Sequence, residues 1–463
     1  MISFEIGSNI KIMLKYLLLP IFVSASLIGA VAAIDYFRPN KEIIVGETAE
    51  ILPPQKTTEE LIKEAKEKSS NIKGLYMTAD VASDLGAGAT RLRKRLIDIA
   101  EKTEINGLVI DVKEVCGPDY NEKNIKALLE ELKQKNIWAV ARIVVFKDAS
   151  QTEAHPEWYL KRKSAAVFKD ECWKKKHLRA KPDSNQLLVT SNYILWQDKR
   201  GGWWLDPASD GARQYILEFS KKMIDLGFQE IQFDYIRFPS DGDVDKAIYP
   251  SWDGETAKYS VMKSFFEFLN KNLKAHKPDI ILSADLFGYA AIRAGDVGIG
   301  QRLDDIGGNF DYISFMVYPS HYYSGLYMPA DLGRGLPAIN YNFSQARSNP
   351  GEVVYRSLIF ARDFLDGKIS TSTFSYLVPQ KQATSTLIST STIEAVPNPI
   401  KRSEARLRPW LEDFFHEEDK SAKRPFGTEK IRLQIDAAEK SENHGWLLWN
   451  AANVYTENAL NKE

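Results

Sequence analysis

The pattern of apolar and polar positions along this 463-residue chain changes at residue 72. From there onward, apolar runs of five to nine residues alternate with amphipathic stretches. Such an alternation is typical of βα units around a parallel sheet. Eight apolar runs predict strands, at residues 72–79, 107–113, 138–146, 229–239, 280–288, 312–319, 406–411 and 445–451. The seventh run is the weakest, because Pro409 within it cannot donate a ladder hydrogen bond.

The amphipathic stretches between these runs predict helices, at residues 91–102, 122–135, 208–226, 255–276, 351–365 and 428–442. Strands and helices that alternate in this way favour an α/β fold, a (β/α)8 TIM barrel over residues 72–457 with long loops at its C-terminal face. An open doubly wound sheet is the alternative, although the glycines at 86–88 lack the third glycine of a dinucleotide-binding turn. Residues 368–399 are rich in Ser and Thr without a helical period, and they predict an inserted hairpin or loop.

The N-terminal region contains a run without charged residues, from residue 16 to residue 34, preceded by Lys11 and Lys15. About 20 apolar residues span a bilayer, so residues 1–38 fit a single membrane anchor. Small residues at 30–32 also fit the cleavage site of a secretory signal peptide. Both interpretations place the barrel outside the cytoplasmic membrane, tethered or secreted. Residues 39–71 read as a polar linker that ends in a short helical run capped by Thr57.

Composition narrows the classes of partner and cofactor. The formal net charge of −1 gives no basic field for a nucleic acid, whereas 10 Trp, 20 Tyr and 22 Phe offer platforms for sugar rings. None of the six histidines forms an HExxH motif, and Cys116 and Cys172 are not spaced as a metal or redox motif. We therefore expect neither a metal nor another cofactor. Both cysteines follow predicted strands, so a disulfide between two loops and two free thiols both remain open.

Polar residues recur near the C-terminal ends of the predicted strands, where barrel enzymes place their catalytic groups. The candidates, in chain order, are Asp111, Lys113, Arg142, Asp234, Arg237, Asp285, Tyr318, His321, Asp413 and Asn450. Two carboxylates beside aromatic platforms are the equipment of glycoside hydrolysis. No GxSxG elbow or reactive cysteine context supports acyl transfer instead.

Two of these acids fit the roles that glycoside hydrolysis needs, one ionised and one holding a proton. We expect Asp234 to be the nucleophile, with Arg237 nearby to keep it ionised. Asp285 is the expected general acid, because the apolar residues around it in the sequence favour its protonated form. A buried ion pair that holds a loop is the alternative for Asp234, and a turn aspartate is the alternative for Asp285. Asp413 is the alternative proton donor.

The remaining candidates are predicted to bind substrate or to support the catalytic pair. Asp111 belongs to this group, and so does Asp206, which follows the long loop at residues 147–205. That loop contains five tryptophans and is predicted to wall one side of the cleft: Trp158, Trp173, Trp196, Trp203 and Trp204. For Trp203 and Trp204, contact with substrate and packing of the loop onto the barrel are both open.

Seven motifs occur in a characteristic order: KGLYMTA, GLVIDVKE, ARIVVFKD, WLDPAS, FDYIRFPSDG, SADLFGY and RPWLEDF. In these motifs the chain resembles the putative glycosyl hydrolase domain family, barrel proteins related to the α-amylase-like glycosidases and often exported. The resemblance implies a nucleophile on strand four, which falls on Asp234, and an acid on a following strand, which falls best on Asp285. Amylase-type strands carry an Arg two residues before the nucleophile, but this chain has Gln232 there and Arg237 after it.

The function hypothesis is a glycosidase or transglycosidase that uses two carboxylates on an extracellular or envelope polysaccharide. Two alternatives from other classes remain open. One is a non-catalytic carbohydrate-binding barrel, which needs the aromatic residues but not two acids. The other is an envelope scaffold protein that uses the Ser/Thr-rich insertion as its contact surface.

Overall fold

The computed structural model describes residues 56–163, 171–172, 175, 189–190, 193–293, 295–369, 396, 398–414, 427–442 and 444–462. The predicted anchor or signal peptide, Trp173 and most of the insertion at 368–399 lie outside these residues. Within the described part of the chain, no helix combines the length and apolar character that a membrane crossing needs.

Eight parallel strands form a closed barrel. They are β1 (Ile72–Met77), β2 (Gly107–Glu114), β3 (Trp138–Val144), β4 (Glu230–Asp234), β5 (Ile281–Phe287), β6 (Tyr312–Met316), β7 (Trp410–Glu412) and β8 (Gly445–Trp449). Each strand pairs in parallel with the next one, and β8 pairs with β1. The predicted (β/α)8 barrel is confirmed, and the open doubly wound sheet is excluded.

Helices surround the strands, most of them at the predicted places. They are α1 (Thr58–Lys68), α2 (Ala79–Ser83), α3 (Ala87–Lys102), α4 (Glu122–Gln134), α5 (Asp210–Leu226), α6 (Lys258–His276), α7 (Leu303–Gly307), α8 (Phe343–Ser348), α9 (Pro350–Leu365) and α10 (Thr428–Ser441). Of these, α2, α7 and α8 were not predicted. Local capping explains several starts. Thr57 and Glu60 form a capping box on α1, and the side chains of Asn121 and Ser209 cap α4 and α5.

Shorter strands lie in the connections. Gly117–Pro118 turns back antiparallel on the end of β2. Lys161–Arg162, Val189–Thr190 and Tyr193–Leu195 form a small antiparallel sheet within the long loop that the sequence predicted as irregular. Leu326–Met328 and Ile339–Tyr341 form a hairpin after β6. A disulfide joins Cys116 to Cys172, with 5.6 Å between their Cα atoms, and so ties the long loop to the end of β2.

The base of the barrel is closed by a buried ion pair. Arg408 donates to Glu230 at 2.9 Å, and neither side chain is exposed. Trp138 Nε1 donates to the same carboxylate at 3.0 Å. A second Arg408 nitrogen donates to the carbonyl of Ser69 at 2.8 Å, just after α1. These contacts seal the N-terminal end and leave the C-terminal end for a site.

Two strands differ from their sequence predictions for local reasons. The run at 229–239 was expected to be strand throughout, but β4 ends at Asp234 because Tyr235 adopts a left-handed conformation with φ of +53°. Arg237 therefore lies in the following loop. The run at 406–411 is split into Arg406–Leu407 and β7, since Pro409 interrupts the ladder between them.

Candidate active site

Three carboxylates surround the guanidinium of Arg142 at the C-terminal end of the barrel. Its Nη1 lies 2.6 Å from Oδ1 of Asp111, its Nη2 contacts Oδ2 of Asp234, and its Nε lies 3.8 Å from Oδ2 of Asp285. All four side chains are buried. They come from β2, β3, β4 and β5, four consecutive strands of the barrel. Since both contact one planar guanidinium, Asp234 and Asp285 lie within the roughly 10 Å that a glycosidase pair spans.

Further contacts fix the orientation of each carboxylate. Tyr76 donates its hydroxyl to the second oxygen of Asp111. Asp234 Oδ1 accepts from the backbone N–H of Tyr235 at 2.6 Å, a contact made by the left-handed turn that ends β4. Asp285 Oδ1 accepts from Trp410 Nε1 at 2.8 Å. Each acid is therefore held by a donor as well as by Arg142.

The environment of Asp285 gives its carboxyl group an unusual pKa. Burial raises the pKa of Asp285 well above its usual value, and the nearby charge of Asp234 raises it further. Arg142 and Trp410 lower that pKa only in part. Burial also raises the pKa of Asp111, against the opposing effect of Arg142. Asp285 is thus the carboxyl of this cluster suited to hold a proton.

The source of this desolvation differs from the sequence expectation. Ala284 and Leu286 belong to the apolar layer between strands and helices, whereas Asp285 points into the barrel. Successive residues of a strand face opposite sides, so its chain neighbours do not surround the carboxyl. The barrel interior desolvates it instead.

A cavity of about 630 Å³ opens above the cluster. Its lining includes seven of the predicted site residues: Arg142, Trp204, Asp234, Arg237, Asp285, Tyr318 and His321. It also includes residues that the sequence analysis did not single out, among them Lys147, Asp198, Tyr235, Phe287, Tyr289, Tyr322, Tyr323, Trp410 and Trp449. A volume of this size is typical of a small-molecule or sugar site.

The sequence suggested that Arg237 holds Asp234, but the structure shows that it does not. In the described part of the chain, no carboxylate lies within ion-pair distance of Arg237, and Arg142 holds Asp234 instead. The Arg237 guanidinium packs against the rings of Trp204, Tyr235 and Phe287, at 4.9, 5.0 and 4.6 Å from their centroids. The cation nearest in sequence is therefore not the partner, because the left-handed turn at Tyr235 separates the two side chains.

Lys113 lies outside the cavity lining although it follows Asp111 by two residues. The β2–β3 register shifts between these two positions, so the usual alternation of sides is broken. Lys113 Nζ lies 2.8 Å from Asp148 and 5.7 Å from the ring of Tyr215 on α5. Its ammonium group therefore lies between the barrel and the helices and not in the cavity.

Five other predicted residues also lie outside the lining, among them Asp111, which reaches the site only through its contact with Arg142. Asp206 accepts from the backbone amides of residues 208, 251 and 252 at 2.7 to 3.0 Å. Asp413 accepts twice from Thr456 at 2.8 Å, and Asn450 donates to the carbonyls of residues 413 and 454. Trp203 is 3% exposed and packs in the core. The hydrogen bonds of Asp206, Asp413 and Asn450 fix the backbone of the loops around the mouth.

Aromatic residues build the walls of the site. Tyr76 and Trp449 lie 3.9 Å apart, with Arg142 5.2 Å from the Trp449 centroid. At the rim, Tyr323 is 68% exposed and stacks on Phe343 at 5.5 Å. A signal for Trp449 was present in the sequence, since it alternates with the inward-facing Leu447 at the end of a strand.

A metal site needs several ligand side chains that converge on one point. No three His, Cys, Asp or Glu side chains among the described residues are arranged to hold a metal ion. The three carboxylates of the site bind a guanidinium.

Comparison with solved structures finds matches of low similarity. A hypothetical protein from Ruminiclostridium thermocellum ATCC 27405 is 26% identical, over 46% of this chain and 96% of that one, with a TM-score of 0.33. Amy13B of Eubacterium rectale is 12% identical, over 84% and 68% of the two chains, with a TM-score of 0.41. The trehalulose synthase MutB from Pseudomonas mesoacidophila MX-45 is 13% identical, over 54% and 50%, with a TM-score of 0.34. The curated proteins give no significant match.

The family comparison covers nearly the whole described barrel. The model of the putative glycosyl hydrolase domain matches residues 74–455, from β1 to the segment after β8. That range contains the Arg142 cluster and every residue that lines the cavity. The chain therefore belongs to the putative glycosyl hydrolase domain family, as its motifs indicated.

Proposed function

We propose that this protein hydrolyses O-glycosidic bonds with Asp234 as nucleophile and Asp285 as general acid, with retention of configuration. The observation that carries the proposal is the shared guanidinium of Arg142, which holds an ion-paired Asp234 beside a carboxyl whose pKa burial raises. Acid and nucleophile roles need two carboxyls with different environments. The glycosyl hydrolase family of the chain agrees with this chemistry.

In the first half of the reaction, Asp285 donates its proton to the glycosidic oxygen while Asp234 attacks the anomeric carbon. The carbon–oxygen bond breaks, the leaving sugar departs as an alcohol, and a glycosyl ester forms on Asp234. The new charge on Asp285 then lies 3.8 Å from the guanidinium of Arg142, which stabilises it.

In the second half, Asp285 removes a proton from a water molecule that attacks the same carbon, and Asp234 is released. Asp111 supports both halves without touching the reacting atoms, because it holds the opposite edge of Arg142. Tyr76 in turn donates to Asp111 and fixes its orientation.

We also propose that the substrate is an extracellular or envelope polysaccharide, and that the barrel works outside the cytoplasmic membrane. The disulfide between Cys116 and Cys172 supports an oxidising compartment. The uncharged run at residues 16–34 supports export with a membrane anchor or a signal peptide. Protease treatment of intact cells tests this placement, and a barrel that stays undigested contradicts it.

A polysaccharide screen tests the activity. Reducing ends are measured after incubation of the full chain with neutral and acidic polysaccharides, beside an Asp285→Asn control. For any substrate that is cleaved, proton NMR of the first product gives the anomeric configuration. Release of the inverted anomer overturns the nucleophile role of Asp234. Binding of oligosaccharides without cleavage of any kind favours a carbohydrate-binding barrel instead.

A further inference from the structure

Arg237 is a buried cation that faces the cavity, and it forms no ion pair with any carboxylate among the described residues. It is 7% exposed and lines the cavity. One of its nitrogens, Nη1, donates to the carbonyl of Phe238 at 3.0 Å and to Ser240 Oγ at 3.2 Å. Among the described residues, Nε and Nη2 have no acceptor within hydrogen-bond distance, and no carboxylate forms an ion pair with the guanidinium.

Other buried cations of the barrel are neutralised. Arg142 contacts three carboxylates, Arg408 pairs with Glu230, and Lys113 pairs with Asp148. Lys147, in the same cavity wall as Arg237, pairs with Asp198 at 2.9 Å. A buried charge without a partner is unfavourable. Burial accordingly lowers the pKa of Arg237 below its usual value, and the charges of Asp234, Asp241 and Asp198, which lie beyond ion-pair distance, oppose this only in part.

The surroundings of Arg237 hold its guanidinium in place without satisfying its charge. Trp204, Tyr235 and Phe287 each lie within 5.0 Å of it, measured from ring centroid to guanidinium carbon. Rings packed around a guanidinium orient it by cation–π contact and leave its N–H edges available to a ligand. The arrangement is therefore a preformed donor edge, and the cavity is the side from which a ligand reaches it.

The position of this edge relates it to the proposed chemistry. Tyr235 directly follows Asp234, and Phe287 follows Asp285 by two residues. Both rings lie in the cavity lining with the two acids. A group bound to Arg237 therefore belongs to the sugar at the reaction centre or to its immediate neighbour.

We propose that the cavity takes an acidic sugar and that Arg237 binds its anionic group. The two N–H groups that lack acceptors suit a planar carboxylate, as in a uronic acid, through paired charge-assisted hydrogen bonds. A sulfate ester on a sugar offers the same acceptor chemistry. This inference rests on the proposed function and adds to it the class of substrate.

The test measures affinity in the full chain carrying Asp285→Asn, so that turnover does not interfere. Titration calorimetry compares trigalacturonate with its fully methyl-esterified form, and a sulfated galactose oligosaccharide with its desulfated form. Within each pair the sugar rings are the same and the charge differs. We expect at least one acidic form to bind 10-fold or more tightly than its uncharged partner. If neither acidic form is preferred, the inference is wrong.

Substitutions then assign the preference to one residue. Arg237→Gln is expected to lower affinity for the preferred acid about 10- to 100-fold, since hydrogen bonds to charged groups are lost, and to leave the uncharged form unaffected. Arg237→Lys keeps the charge and retains part of the preference. Arg200→Gln, an exposed cation at the same cavity, is the matched control and keeps the full preference.

The outcomes separate this inference from the proposed function. Equal losses for both members of a pair in Arg237→Gln overturn the anion site. Full preference in both Arg237 variants does the same. A chain without catalysis on any substrate that still prefers acidic sugars through Arg237 overturns the glycosidase and supports the anion site.

Discussion

The guanidinium of Arg142 and the carboxyl of Asp285 meet inside the barrel with 3.8 Å between Nε and Oδ2. A cation at this distance usually favours an ionised carboxylate. Arg142 is already bound more closely by Asp111 and Asp234, so its charge is shared among three acids. Burial and the nearby charge of Asp234 raise the pKa of Asp285 well above its usual value in spite of this cation.

Asp234→Asn and Asp285→Asn are each expected to lower kcat about 100- to 10,000-fold or more, because a nucleophile or a positioned acid is lost. An aryl glycoside with a good leaving group should restore the first step in Asp285→Asn only, since that group departs without a proton. The measurement is the release of the aryl alcohol under single-turnover conditions, with azide added to capture the glycosyl ester.

Asp206→Asn is the matched control for these two variants. It removes a buried carboxylate whose three backbone contacts lie outside the cavity lining, so it should lower the melting temperature and keep kcat. Full activity in Asp285→Asn contradicts the assignment and moves the proton donor elsewhere, and Asp413, the alternative that the sequence offered, lies outside the cavity lining.

Arg142→Lys is expected to fold less stably and to lose at least 10-fold in kcat, because an ammonium group cannot hold three carboxylates in a fixed fork. Breaking one partner of a buried network costs about 3–5 kcal/mol. Urea unfolding measures the stability, with Arg302→Lys as control, since its pair with Asp305 lies nearer the surface. An equal effect in the two variants removes the special role of Arg142.

Glu412 predicts a pH dependence of stability. Burial raises its pKa to about 7, although hydrogen bonds from Ser320 oppose the change. The unfolded chain loses this proton near the ordinary pKa of 4.5 and the folded chain only near 7, so stability falls as pH rises between these values. The loss attributable to Glu412 is up to about 3 kcal/mol.

Urea unfolding of the wild type and Glu412→Gln at pH 5 and pH 8 measures this loss. The wild type should lose more stability between the two pH values than the variant does. Glu404→Gln, which removes a side chain that is 86% exposed, should behave like the wild type. A variant that loses as much stability as the wild type shows that the Glu412 carboxyl titrates normally.

Trp203→Ala and Trp204→Ala should separate packing from recognition. Both residues are buried, so each substitution is expected to cost about 3–5 kcal/mol of stability. Trp204 also lines the cavity and contacts Arg237, whereas Trp203 is outside the lining. Oligosaccharide affinity should therefore fall only in Trp204→Ala. Unchanged affinity in both variants means that the pair serves packing alone.

Tyr323→Ala should weaken binding of long oligosaccharides and leave short ones unaffected. The ring is 68% exposed at the rim, where Phe343 stacks on it at 5.5 Å and His321 lies 5.6 Å away. A stacked sugar is expected to contribute about 0.5–1.5 kcal/mol, or 2- to 10-fold in Kd. Calorimetry with a size series measures it, with Leu433→Ala on α10 as an exposed control. Equal losses for all sizes rule out an outer subsite.

Much of the barrel was predictable because its strands and helices have strong, distinct periods. The start of α1 followed from its Thr cap, and Pro409 correctly marked a weak point in its strand. The acids at strand ends were also predictable, since parallel strands bring their C-terminal ends to one mouth. Asp111, Asp234 and Asp285 converge for that reason.

The pairing of charges was not predictable, since it depends on register between strands. Arg142 and Asp234 are 92 residues apart and meet because β3 and β4 are neighbours. Arg237 is three residues from Asp234, yet the turn at Tyr235 separates them. Lys113 points away from the cavity because the β2–β3 register shifts, and such a shift cannot be read from one sequence.

Tyr235 also connects the geometry of the site with the thermal stability of the protein. A residue other than glycine in the left-handed region costs roughly 1–2 kcal/mol, and such strain is usually kept where function requires it. Tyr235→Gly relieves this backbone cost but removes the ring beside Arg237 and the aromatic contact with Trp204, 5.9 Å away. Variants selected for thermal stability would therefore exchange backbone strain at this position against the ring that holds Arg237.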